Sequence, residues 1–209
     1  MDDDYRLTKN CKSFGDVSEK KQVLMNEIKS AHPRAIDIHK IVSDNTSEYK
    51  SKFLEVYCYR CAYCGTSLRI NAKSQFEIDH FIPKTSKRFR SETDAGFIKN
   101  LVLACHTCNH NKSNFELSES SQEILNPDSE KIKKIYYRDN MFYIRVSQEA
   151  SQEAIDFYKK LKLGRETCRI DYLLLSMMEL RDEIVNDYSF CCKLNEMINL
   201  LHCKRNIMV

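Results

Sequence analysis

The chain has 209 residues, 42% of them hydrophobic and 30% charged, enough for one substantial core plus a smaller appendage. No apolar run approaches the roughly 20 residues that span a bilayer, and Asp2, Asp3 and Asp4 follow Met1 where a secretory leader would carry positive charge and then an apolar stretch. A membrane protein is thereby excluded from the expectation, and a cytoplasmic one is expected. Gly and Pro together number only seven and no internal repeat is evident, so the composition points to a compact, helix-rich α+β chain.

In chain order, residues 18–31 place Val23, Leu24, Ile28 and Ala31 near helical spacing before Pro33, which predicts a helix and its stop. A second helix is expected over about 46–57. Residues 76–82, FEIDHFI, alternate as a strand that ends at Pro83. Residues 134–146, KIYYRDNMFYIRV, read as a hairpin turning around Asp139 and Asn140. Amphipathic helices are expected over 148–163, 166–187 and 190–205, with YLLLSMMEL serving core packing. The organisation expected is an N-terminal helical segment, 1–57, a cysteine-bearing core, 58–115, and a C-terminal hairpin and helical region, 116–209.

The net charge of +3 says little about partners until it is divided along the chain. Lys and Arg number 10 against 10 Asp and Glu in 1–57, 9 against 4 in 58–115, and 14 against 16 in 116–209. The positive excess therefore lies in the middle segment, where Lys84, Lys87, Arg88 and Arg90 form a cluster suited to phosphates. A solvated loop would carry the same charges.

Ten cysteines without a leader, some in CxxC pairs, point to reduced thiols and a metal site in place of disulfides. Cys61 and Cys64 form one pair, Cys105 and Cys108 the other, and Gly65 follows the first. Each CxxC turn aims two sulfurs at one ion, so the four suit a tetrahedral structural zinc. Cys58 lies close enough in sequence to compete as a ligand. Cys11, Cys168, Cys191, Cys192 and Cys203 lack paired spacing and are expected in the core. A closed four-thiolate site has no open position, so it supplies folding energy and no chemistry.

Chemistry must then come from elsewhere: Glu77, Asp79 and His80 stand between the pairs, and although a lone Asp-His is more often structural, Asp79, His80, Asn100 and Asn109 are all tethered to the same staple. Cys61-x-x-Cys64, Asp79-His80-x-x-Pro83, Asn100-Leu and Cys105-x-x-Cys108-Asn109-x-x-Lys112 resemble the HNH endonuclease superfamily in its zinc-stapled form, over about residues 58–115. The resemblance implies a ββα-metal core with His80 as general base and Asp79 and Asn109 as ligands of one divalent cation, Mg²⁺ or Mn²⁺. It makes Asn100 the brace that orients the histidine, and 5′-phosphate products the outcome. Asn109 stands where many members have His, but its carbonyl oxygen suits a hard cation; His106 and His110 are alternative ligands. Glu77 is either a further acidic group or a strand-surface residue.

A phosphodiester repels hydroxide and leaves as a poor alkoxide, so its hydrolysis needs a base for water and a charge opposite the developing one. His80 can provide the first and the cation the second, while Lys112, Lys84, Lys87, Arg88 and Arg90 place the nucleic-acid backbone, DNA foremost. The last third resembles the helical extensions of bacterial HNH nucleases that accompany an ATPase in anti-phage systems such as Septu or certain retrons. That implies a defence effector with an ATPase partner. Because one such site cuts one strand at a time, double-strand cleavage calls for two copies or two visits, hence a possible oligomer. The rival from another class is a noncatalytic zinc module that binds nucleic acid or protein.

Overall fold

A computed structural model describes residues 4–11, 13–184 and 187–208; the amino-terminal reading at Met1, Asp2 and Asp3 lies outside the described residues. Asp16 accepts from the Glu19 amide and starts α1, Val17–Ala31, which buries Val17, Leu24 and Ile28 and stops before Pro33. Asp37 likewise caps α2, Ile38–Ser43. This helix was not foreseen: its two buried positions, Ile38 and Val42, are too few to set a period. Ser47 caps α3, Glu48–Val56, which packs on α1 and α2.

The next unit is a hairpin followed by a helix. Strand β1, Phe76–His80, pairs antiparallel with β2, Leu101–Cys105, in a register that sets Ile78 opposite Leu103 and His80 opposite Leu101. Every residue of β2 is buried, consistent with an uninterrupted apolar run. The strand ends at His80, two residues short of the expected limit: after the Phe81 amide donates to Asn100 O, the Asn100 side chain takes over the pairing at Ile82 in place of a ladder backbone. Helix α4, His106–Lys112, starts inside the second cysteine pair and packs on both strands.

Two short helices follow, α5, Glu119–Leu125, and α6, Ile132–Ile135. Strands β3, Tyr136–Arg138, and β4, Ile144–Val146, then form the expected hairpin. Asp139 Oδ1 accepts from the Met141 and Tyr143 amides and closes its turn. Ser151 caps α7, Gln152–Leu161, so that helix begins after the expected start at 148. Helices α8, Glu166–Glu183, and α9, Tyr188–Met208, pack on each other; the junction at residues 185 and 186 lies outside the described residues.

Helix accounts for 53% of the described residues of this α+β chain. One hydrophobic cluster includes Leu24, Leu103 and Phe157 and so draws on all three segments expected from the sequence. A small second cluster, Ile170, Leu174 and Ile198, joins α8 to α9, with Met177 and Met178 packed against it. Buried ion pairs also cross the segments: Lys21 to Asp128 at 2.5 Å and Arg60 to Glu179 at 2.6 Å.

The expectation that the unpaired cysteines are core residues needs correction. Cys168 is buried, but Cys11, Cys191 and Cys192 are half-buried and Cys203 is exposed. Helix α9 buries only Leu194 and Ile198, so a cysteine elsewhere on it stays near solvent. Among the described residues, no helix is long and apolar enough to cross a membrane.

Candidate active site and metal staple

The four sulfurs of Cys61, Cys64, Cys105 and Cys108 are buried and lie within 4.8 Å of one another. Cys64 Sγ and Cys105 Sγ are 3.8 Å apart, the edge expected of a tetrahedron with zinc–sulfur bonds of about 2.3 Å. The donor set and its spacing therefore fit a structural Zn²⁺. The first pair sits in a tight turn in which Gly65 N donates to Cys61 O and Cys61 N donates to Thr66 O. Gly65 has φ +79°, and a Cβ there would lie 2.0 Å from Arg6 O, so both conformation and space demand glycine. Cys58 stays outside the cluster, with its thiol directed at Ser13 O.

Arg165, which the sequence did not single out, brings its Nη2 within 3.8 Å of Cys64 Sγ and 3.7 Å of Cys108 Sγ. Four thiolates around a dication leave a net charge of −2, and the guanidinium offsets part of it. No local signal marks Arg165; the start of α8 is simply folded over the staple.

Strand β1 carries two sets of side chains. Glu77 and Asp79 share the face toward α4, while Ile78 and His80 take the other. Asp79 is buried, accepting from Tyr63 Oη at 2.6 Å and from Lys112 Nζ at 3.1 Å. Burial pushes its carboxyl pKa up, and Lys112 and Tyr63 offset part of that shift. Tyr63 stands inside the first CxxC, so the staple and the strand are joined by one hydrogen bond.

Asn109 lies on α4 with its Nδ2 donating to Glu77 Oε2, and His106 Nδ1 lies 2.7 Å from Glu77 Oε1. Partial burial works to raise the Glu77 pKa, but the bonds from His106 and Asn109 bring it below the usual value. The structure thus brings Asn109 to Glu77, while Asp79 is engaged one position deeper. His110 is exposed and stacks on His106, with ring centroids 5.9 Å apart.

His80 is half-buried at the end of β1, its ring 4.3 Å from that of His39 on α2. His39 Nε2 is in turn 3.0 Å from Ile78 O. Desolvation first, and the neighbouring His39 second, push the His80 pKa down to about 4, which leaves a neutral imidazole at neutral pH. Asn100 is buried and closes the loop after the strand: Oδ1 accepts from Ile82 N at 2.8 Å, and Nδ2 donates to Ile82 O and Ala95 O, both at 3.0 Å.

The basic residues divide. Lys112, expected to touch the nucleic-acid backbone, is 1% exposed and donates to Asp79 and His80 O; it faces inward because α4 lays that side on β1. Arg88 donates to Gln122 and lies near Glu116 and Glu119, against α5. Lys84 pairs with Glu92 at 3.0 Å, while Lys87 and Arg90 are exposed.

The hairpin, the helix and the four-cysteine cluster define a ββα unit whose staple can hold a zinc ion. A family model described as HNH endonuclease matches residues 61–115, the segment that contains all four staple cysteines together with His80, Asn100 and Asn109. No curated protein matches the chain, and no solved structure does.

Proposed function

We propose that this chain is a metal-dependent endonuclease that hydrolyses nucleic-acid phosphodiester bonds, DNA foremost. The observation that carries the reading is the HNH endonuclease match at 61–115 over a segment folded as ββα and fixed by a four-cysteine staple. In this reading His80, neutral and held against His39, takes the proton of the attacking water. Asn109 offers its carbonyl oxygen, since its Nδ2 is committed to Glu77, and Glu77 and Asp79 add carboxylate oxygens on the same strand face. These are hard donors suited to Mg²⁺ or Mn²⁺. Such a cation supplies charge opposite the phosphodiester as its leaving oxygen develops. Asn100 holds the turn after His80 through its three hydrogen bonds. Lys84, Lys87 and Arg90 are the residues of the basic loop that can meet phosphates, with Arg88 free to do so only if it leaves α5.

The finer reading, an anti-phage effector with an ATPase partner, draws support from the helical character of α8 and α9 and from the exposed Phe190, Met197 and Leu200 of α9. One observation favours the noncatalytic zinc module instead: the engagement of Asp79 by Lys112 and Tyr63. Cleavage of plasmid and single-stranded DNA with Mg²⁺ or Mn²⁺, by native protein and by His80→Ala at equal zinc content, separates the readings. Metal-dependent cutting lost in the variant supports the nuclease; equal cutting by both removes His80 as base. DNA binding that is indifferent to an exchangeable divalent ion, without cutting, favours the module.

A further inference from the structure

A groove of about 620 Å³ opens between the N-terminal helices and the first strand of the ββα unit, lined by residues that include His39, Asn45, Lys50, Lys73, Glu77 and Asn109. That volume lies in the range of ligand clefts, about 300–1,000 Å³. Of its lining, Lys73, Glu77 and Asn109 belong to the matched segment. His39 and Lys50 belong to α2 and α3, outside that segment.

Lys50 is 6% exposed, yet its ammonium has one neutral partner, Asn45 Oδ1 at 2.6 Å. An ammonium carries three donors, so two of them remain for a ligand. Lys73, across the groove, donates only to Ser51 Oγ, at 3.3 Å. Among the described residues neither lysine has a carboxylate within 4 Å, whereas Lys84, Arg88 and Lys112 all do. Glu77 and Asp44 attract the Lys50 ammonium only from beyond ion-pair distance, and a buried cation without a contacting carboxylate is stabilised when an anion comes to it. Ser43 adds a hydroxyl, and the His39 ring lies tilted against that of His80 with centroids 4.3 Å apart, so one wall of the groove touches the proposed base itself.

We propose that this groove is the track for the sugar-phosphate backbone of the substrate strand, with Lys50 and Lys73 binding phosphates beside the scissile bond. The N-terminal helical segment then contributes Lys50 and His39 to the substrate site, and the matched segment contributes Lys73. Segment charge concealed the part played by Lys50, because residues 1–57 balance 10 basic against 10 acidic side chains. The inference rests on the nuclease reading for its substrate, though the groove's affinity can be measured without any cleavage.

The test is fluorescence anisotropy of labelled single-stranded DNA, duplex DNA and RNA oligomers, without added divalent metal, at several salt concentrations. Native protein is compared with Lys50→Gln/Lys73→Gln, with Lys73→Glu and, as control, with Lys160→Gln on α7. Lys73 is exposed, so Lys73→Glu retains its fold even if the double variant does not. Loss of two phosphate contacts is expected to weaken binding about tenfold and to flatten the log–log salt slope by about 1.4 for single strands or about 1.8 for duplex. Lys73→Glu weakens binding at least as much per residue, and Lys160→Gln changes neither quantity. In cleavage assays KM rises with kcat held within about twofold, since phosphate contacts of this kind position the backbone and leave the reacting atoms alone. Unchanged affinity and slope in a folded Lys73→Glu overturns the proposal even if the native protein cuts DNA. Failure of the native protein to bind any of the three oligomers overturns it as well. Lysine-dependent binding without cutting leaves the groove standing and sinks only the nuclease reading.

Discussion

His80 ends a strand, with its ring against His39 and its carbonyl held by Lys112 at 2.7 Å. Replacement by Ala removes the proposed base and is expected to lower cleavage by about 10²–10⁴-fold, with zinc content and melting temperature close to native. The pKa of about 4 places the acid limb of the cleavage profile near pH 4, well below the ordinary histidine value of about 6.5; a pH–rate profile between 3.5 and 8 reads it. The sign of the stability effect follows. The unfolded chain takes up this proton near pH 6.5 and the folded chain only near 4, so His80 costs stability as pH falls through that window and nothing above it. Tyr63 is the other informative residue. Tyr63→Phe leaves Asp79 with Lys112 alone and should destabilise by about 1–3 kcal/mol, measured by denaturant unfolding. Asp79 and His80 could be picked from the sequence as a pair. Their opposite orientations also follow from strand alternation, but Lys112 and Tyr63 as the partners of Asp79 required the fold.

At the scale of elements, the staple and its knuckle carry the ββα unit. Gly65→Ala sets a Cβ against Arg6 O in a positive-φ turn, so the turn must open. Loss of bound zinc and a lower melting temperature are expected, by metal analysis and calorimetry. Removal of zinc with a strong chelator should unfold the hairpin and α4 together, because zinc binding in small metal-folded units contributes about 10–16 kcal/mol at neutral pH; loss of far-ultraviolet dichroism that returns on adding zinc is the readout. The hairpin at 134–146 was legible because Asp139 and Asn140 interrupt two aromatic runs. Helix α2 was not, since six residues offer less than two turns. Yet α2 supplies His39.

For the whole molecule, the middle segment does not stand apart. Arg60, inside the first knuckle region, forms its ion pair with Glu179 of α8, with both side chains largely buried at 4% and 11% exposure. Glu179→Ala strands the guanidinium and should cost about 3–5 kcal/mol, seen as a lower denaturant midpoint at unchanged slope. Lys21 from α1 reaches Asp128 and Leu101 O, and so fastens the N-terminal helix to β2.

Taken by itself, the sequence determined what local spacing can encode: the two CxxC turns, the alternating strand that carries Asp79 and His80, the longer helices, and an HNH resemblance over about one quarter of the chain. Tertiary structure alone decided which side chains meet across long separations. It turned Lys112 inward, joined Asn109 to Glu77, laid Arg165 over the staple, and set Lys50 and His39 beside a strand more than 25 residues away. These outcomes depend on how α2, α3, α4 and α8 pack on one shared core, and packing is a property of facing surfaces that no short stretch of chain contains.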